Sequence, residues 1–449
     1  MLNKKIKFAI ALAAAALLVS SSAWASVDRL GADLTPMGGE KAGNADGTIP
    51  AWDGGITKVP ADYKGDGTVR TNPFAADKPL FSINAANLAQ HEDKLTKGVA
   101  ALLKKYPNQK IDVYQTRRSA SAPQWYYDRT KANFGKAKLT ADGLGVIPNG
   151  VSASVPFPIP ETPQEVMFNF LLRWRGVGLE GPTRTVVVQP NGNVSKGATN
   201  YYEQYPWNNR DITIEGKDPY YKILAEYLEP ARRKGEYALV IDQINASEHP
   251  RKAWQYLPGQ RRVRRAPAIA FDTPNPSSSG INNYDDVFIF NGSMERYNWK
   301  LVGKKELYLP YNNYAFDLLT REEQDTVNFP GSGKTRFELH RFWVIEATLK
   351  EGSRHALAKR EFYIDEDSWV LLAQDGYDNQ GNLWKVALGH GINAYDLPGF
   401  VQTNYMHFDL TREDYVKTTY GDGYGAYPIN KAMEDKLFTP EHVRRIGRR

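Results

Sequence analysis

The sequence predicts an α+β chain that is mainly β, an antiparallel meander of strands preceded by a few helices. Three observations predict it. From about residue 183 onward, short stretches rich in Val, Ile, Phe, Tyr and Trp alternate with Gly-, Asn- and Asp-rich turns, as in successive hairpins. Aromatic residues make up 12% of the chain, and many fall in those stretches. Helical spacing of apolar residues is found instead in three segments before residue 230.

Taken in order, residues 1–25 begin with Lys4, Lys5 and Lys7, continue with an apolar run over 8–19 and end in Ala23-Trp24-Ala25. This is the layout of a secretory signal peptide cleaved after Ala25, and its run is shorter than the ~20 residues of a membrane span. Cleavage would leave 424 of the 449 residues and lower the formal net charge from +6 to +3. Residues 26–80 are rich in Gly, Pro and Asp without a helical or strand period, and read as an irregular arm. A body over 81–420 follows, then a tail over 421–449 with a short helix.

Within the body, Leu88, Leu95, Val99, Leu102, Leu103 and Tyr106 fit one amphipathic helix over 84–106, stopped by Pro107. A second helix starts with Thr162 and Glu165 as a capping box and Pro163 at its first position. Its stripe is Val166, Met167, Phe170, Leu171 and Trp174. A third, from Asp218-Pro219, carries Ile223, Leu224, Tyr227 and Leu228. The predicted strands are TRTVVVQ (183–189), EYALVIDQI (236–244), RKAWQYLP (251–258), DDVFIFNG (285–292), YNWKLVGKKELYLPY (297–311), TRFELHRFWVIEATLK (335–350), AKREFYID (358–365), SWVLLAQDGYD (368–378), NLWKVALG (382–389) and FVQTNYMHFDL (400–410). In the longest, Phe337, Leu339, Trp343, Ile345, Ala347 and Leu349 share one face, interrupted by Arg341.

Composition excludes several functions. A net charge of +3 over the mature chain is a poor basis for nucleic-acid binding, so the cluster Arg251, Lys252, Arg261, Arg262, Arg264 and Arg265 is local. There is no cysteine, hence no disulfide, thiolate or lipidated Cys. The mean hydropathy is −0.54 and no later apolar run approaches a span, so an integral membrane protein is not expected. GSGKT at 331–335 lacks the first Gly of a phosphate loop, since position 328 is Asn, and a strand follows it. No nucleophile elbow, His-Glu-x-x-His or dinucleotide glycine pattern occurs. The seven histidines are scattered, and the pair Asp285-Asp286 is explained by a strand-entry turn as well as by glycosidase chemistry. No catalytic residue, metal site or cofactor is expected.

Three stretches carry a resemblance: WQYLPGQRRVRRAP, GKKELYLPYN, and KREFYIDEDSWVLLAQDGYDNQGNLWKV. They resemble the lipoprotein-carrier (LolA/LolB-like) superfamily of Gram-negative periplasms. With the FTPEHVRRIGRR ending, the chain is similar to a proteobacterial domain-of-unknown-function family labelled outer-membrane lipoprotein-sorting-like. The resemblance implies an unclosed antiparallel β-barrel, a curved sheet with helices over its concave face. It implies a periplasmic carrier or chaperone for a lipid, acylated or other amphiphilic ligand, working with inner- or outer-membrane transport components and without catalysis. The expected cavity residues are Trp254, Tyr256, Leu257, Trp343, Ile345, Phe170 and Trp174, with Arg262 and Arg264 at the rim for a head group. Trp254, Tyr256, Trp343 and Ile345 are expected on one side of the sheet, facing the helix of residues 166–174. A carbohydrate-binding or envelope-scaffold protein is the first alternative and a hydrolase the second.

Overall fold

The computed structural model describes residues 26–65, 69–266, 269, 271–331, 333–420, 430 and 432–448; residues 1–25, expected to be a signal peptide, lie outside them. The strands are β1 (Phe81–Asn84), β2 (Lys110–Val113), β3 (Lys138–Leu139), β4 (Val146–Ile147), β5 (Gly178–Val188), β6 (Val194–Gln204), β7 (Pro219–Glu229), β8 (Tyr237–Gln243), β9 (Lys252–Leu257), β10 (Arg262–Arg265), β11 (Tyr297–Pro310), β12 (Arg336–Leu349), β13 (Lys359–Asp365), β14 (Leu371–Tyr377), β15 (Leu383–Ala394), β16 (Gly399–Asp409) and β17 (Asp414–Tyr420). The helices are α1 (Lys97–Lys105), α2 (Gln124–Ala132), α3 (Pro163–Leu171), the one-turn α4 (Tyr314–Asp317) and α5 (Arg321–Gln324), and α6 (Pro440–Gly447).

One sheet holds all strands but β3 and β4, in the order β1-β2-β12-β13-β14-β15-β16-β17-β5-β6-β7-β8-β9-β10, with β11 also on β12. Its end strands do not meet, so the sheet is unclosed. It consists of two meanders, β5 to β10 and β11 to β17, joined where β17 pairs antiparallel with β5 from Tyr415↔Val188 to Tyr420↔Thr183, and of the hairpin β1–β2, which adds to β12 through a parallel pairing of β2. Side chains of strands from β12 round to β7 enter one apolar cluster with α3, among them Ile345, Phe362, Leu371, Ala387, Tyr405, Tyr420, Leu179 and Tyr221. A flat sheet that wide would span roughly ten strands at about 4.8 Å each, whereas a nine-residue helix is only about 13 Å long. The sheet must therefore curve, with α3 on its concave face.

α3 forms as its sequence dictates. Thr162 Oγ1 accepts from the Glu165 amide at 3.2 Å, and Glu165 accepts from the Thr162 amide at 2.9 Å. The predicted helix over 84–106 is shorter: two 3₁₀ turns precede α1, which is capped by Thr96. α1 covers the opposite face of the sheet, with Val99, Leu102 and Leu103 against Val386 and Leu388. The approach is close enough that a Cβ on Gly98 would lie 2.1 Å from Asp375 Oδ1. The described residues between 26 and 80 are irregular apart from one 3₁₀ turn and isolated bridges. They are strapped down by Arg118, which holds Asp367 through two bonds and donates to the carbonyls of Glu40 and Pro50.

Two expectations are corrected and one helix is added. The third helix is strand β7: Leu224 is buried and Ile223 half-buried, on opposite faces and in separate clusters, and cover on both faces erases the period-two signal. DDVFIFNG is not a strand but a buried turn, with Phe288 and Ile289 at φ 54° and 74°. Arg360 clamps Asp285 and Asp286 there at 2.9 and 2.8 Å. α2 was not expected, because Trp125-Tyr126-Tyr127 are consecutive rather than helically spaced.

Candidate binding site on the concave face

The predicted cavity residues divide between two faces. Phe170, Trp174, Trp343 and Ile345 belong to the concave cluster with α3. Trp254 and Tyr256 do not: opposite Leu239 and Tyr237 of β8, they pack with Leu224, Phe438, Val443 and Ile446 under α6. The expectation that all four strand residues face α3 is therefore corrected. The amphipathic helix near the C-terminus claims that side of β7–β10, and strand parity within one short segment carries no information about which face is concave. Leu257 is half-buried at the end of β9. Arg262 and Arg264 are exposed on edge strand β10, away from the concave cluster, and no ion pair joins them among the described residues. The longest strand divides too: Phe337 and Leu339 pack with Phe342 and Val344 in the second core, not with Ile345.

The segment leaving α3, Leu172 to Gly176, carries a feature the sequence reading passed over. Arg173 is buried, donates from Nη1 to the Phe170 carbonyl at 2.8 Å, and lies 4.6 Å over the Phe170 ring. Arg175 lies 3.9 Å over Tyr205 and 5.0 Å over Phe288. Facing them is Glu203, fully buried, whose Oε2 accepts from the Tyr205 hydroxyl at 2.5 Å. Burial pushes the Glu203 carboxyl up, against the pull of the two arginines. Burial, then the neighbouring charge of Arg175, holds Arg173 well below the usual guanidinium range. Both arginines line a void of about 20 Å³ with Tyr205, Phe288, Gln402 and Tyr420. The available signal was Arg-Trp-Arg-Gly directly after an apolar helix stripe, two cations where a buried helix ends.

A larger cleft, about 330 Å³, opens beside this region between Tyr220, Ala246, Pro250 and Phe271, with Asp242, Gln243 and Arg251 as polar walls. That volume lies at the low end for small-molecule sites. Arg251 grips both oxygens of Asp242, at 2.6 and 2.8 Å, and the Asn291 carbonyl at 2.7 Å. It thereby fixes the loop that forms one wall. The cleft and the inner void share no lining residue, but neighbouring residues of β7 lie near each: Tyr220 lines the cleft, and Tyr221 stacks on Tyr205 beneath Arg175.

Two buried polar clusters elsewhere have other roles. His340, Asp365 and Asp367 bring ligand-type atoms within 4.8 Å of one another. Arg118 occupies both oxygens of Asp367, however, and Glu338 takes His340 Nε2 at 3.0 Å. His355 accepts from the Leu357 amide through Nδ1 and meets Asp285 through Nε2, each at 3.0 Å, so both ring nitrogens are used within the fold.

A family model described as a protein of unknown function, DUF1329, matches residues 82–444. The chain belongs to the DUF1329 family. A relative, the uncharacterized protein PA3922 of Pseudomonas aeruginosa, is 39% identical over 434 residues, covering 93% of this chain and 92% of the relative. Among solved structures, the chain is similar to a Vibrio parahaemolyticus domain described as an outer membrane lipoprotein-sorting protein. The identity is 14% and the TM-score 0.44, over 62% of this chain and 97% of that one. It is also similar to the LolA superfamily protein NE2245 of Nitrosomonas europaea, with 13% identity and a TM-score of 0.38, over 63% of this chain and all of that one. Among the described residues of this family member, no helix is long and apolar enough to cross a membrane.

Proposed function

We propose that the protein is a periplasmic carrier or chaperone for a lipid or similar amphiphile, held against the concave face beside α3. The observation that supports this best is how that face is closed. Two nine-residue helices, α2 and α3, the short β3–β4 pair and loops cover apolar side chains drawn from most of the strands, and a 330 Å³ cleft lined by Tyr220 of β7 opens nearby. Burying apolar ligand surface yields about 25 cal/mol per Å², so an acyl chain entering from the cleft gains affinity as it replaces contacts made by α3. Displacement of α3 then serves as both entry and release.

None of the described tryptophans is exposed, which disfavours the carbohydrate-platform alternative. The mature chain is expected to start at Ser26 and to fractionate with the periplasm. The test of the carrier reading is binding of an environment-sensitive apolar dye to the folded protein and its displacement by fatty acid or phospholipid. A dye that does not bind, or that neither lipid displaces, contradicts it.

A further inference from the structure

We infer that Arg175, backed by Arg173, is the recognition site for an anionic head group, a carboxylate or phosphate ester, on the amphiphile carried at the concave face. The inference rests on the carrier reading. It begins from a contrast between the paired buried arginines and two others, the buried Arg173 and the half-buried Arg175. Arg118, Arg251, Arg336, Arg341 and Arg360 each meet a carboxylate at 3.1 Å or closer. Arg173 and Arg175 meet none: no ion pair joins either to Glu203 or to another acid among the described residues.

Arg173 has a structural explanation, since it caps the last turn of α3 through the Phe170 carbonyl. Arg175 has no such explanation. Its Nε and Nη1 are buried without a hydrogen-bond partner, while its guanidinium carbon lies 3.9 Å over the Tyr205 ring. Two further buried acceptors nearby, Glu203 Oε1 and Gln402 Oε1, are also without partners. Buried donors left unmade are costly, and a guanidinium fork fixed by stacking is the preferred partner of carboxylate and phosphate.

The void at this fork, about 20 Å³, has room for one water-sized oxygen. A water there satisfies donors but adds no charge beside two arginines faced by the single acid Glu203; an anionic oxygen does both. Tyr220 lines the 330 Å³ cleft and the adjacent Tyr221 lies 5.4 Å from Arg175, so an amphiphile that parts these side chains can place its head group at Arg175 with its chain running along the aromatic wall.

The test compares ligands that share one chain and differ only in the head: laurate, dodecyl phosphate and dodecanol, each below its micelle concentration, competing for the bound dye on the mature protein. Laurate, dodecyl phosphate or both should bind about tenfold or more tightly than dodecanol, as a charge-assisted hydrogen bond implies; which anion binds tighter names the source of the head group. In Arg175→Gln that preference should fall to within about twofold while dodecanol affinity holds. Arg175→Lys, which keeps the charge and loses the fork, serves if the glutamine variant does not fold. Equal binding of all three by the wild type overturns the head-group site and leaves the carrier reading standing. Failure of all three to displace the dye overturns both. An anion preference that survives in a folded Arg175 variant overturns the location.

Discussion

Replacing Phe170 by alanine separates a core that only fills the sheet from one that yields its place to a ligand. Phe170 is 1% exposed on the concave side of α3, with the Arg173 guanidinium over its ring. Loss of the ring's burial and the cavity it leaves should cost about 3–5 kcal/mol, measured by urea unfolding. A ligand entering the wild type must first displace that ring, giving up about 1.5–3 kcal/mol of burial; in the variant that cost is gone. Laurate should therefore bind Phe170→Ala about tenfold or more tightly, since 1.4 kcal/mol is a factor of ten. At one saturating laurate concentration, the ligand-induced gain in unfolding free energy should be larger in the variant by about 1.4 kcal/mol. An equal or smaller gain refutes the reasoning, because the ligand then makes no use of the space α3 fills.

Three further outcomes are expected. Arg360→Met leaves two buried carboxylates facing each other and should lower stability at pH 7 by about 3–5 kcal/mol in urea melts. In the wild type, burial opposes the ionised form of Asp285, yet Arg360 and His355 outweigh it and hold the group at about 2. Its stabilisation is therefore present above pH 4 and lost as pH falls through about 2. Asp365 behaves oppositely: burial, then the charge of Asp367, pushes it up to about 7. Its contribution is full below pH 4 and lost as pH rises through 7, so Asp365→Asn should gain on the wild type in thermal melts between pH 5 and pH 8; parallel curves would contradict this. Substituting both Arg262 and Arg264 by Ser should change stability by less than about 0.5 kcal/mol, as at other exposed unpaired positions.

The hairpins were legible because their strands carry period-two patterns bounded by turn residues, and α3 because its capping box and apolar stripe agree. The seam between β17 and β5 was not, since it joins residues more than 200 positions apart and no local pattern encodes it. The β7 error has a similar root: both faces of that strand are covered, so Ile223, Leu224 and Tyr227 fit a helix as well as a strand. For the site, the apolar half was visible and the polar half was not. Trp343 and Ile345 follow from alternation, whereas Arg175 and Glu203 gain meaning only when β6 is laid beside the segment that leaves α3. Trp254 and Tyr256 look the same in sequence as Trp343 and Ile345; only the docking of α6 assigns them to the other side.

Native mass spectrometry of the protein isolated from the periplasm tests the central claim most directly. The account predicts a folded polypeptide carrying one lipid or amphiphile, exchangeable for laurate or dodecyl phosphate at one molecule per chain. The bare polypeptide mass, both on isolation and after incubation with those ligands, would contradict it.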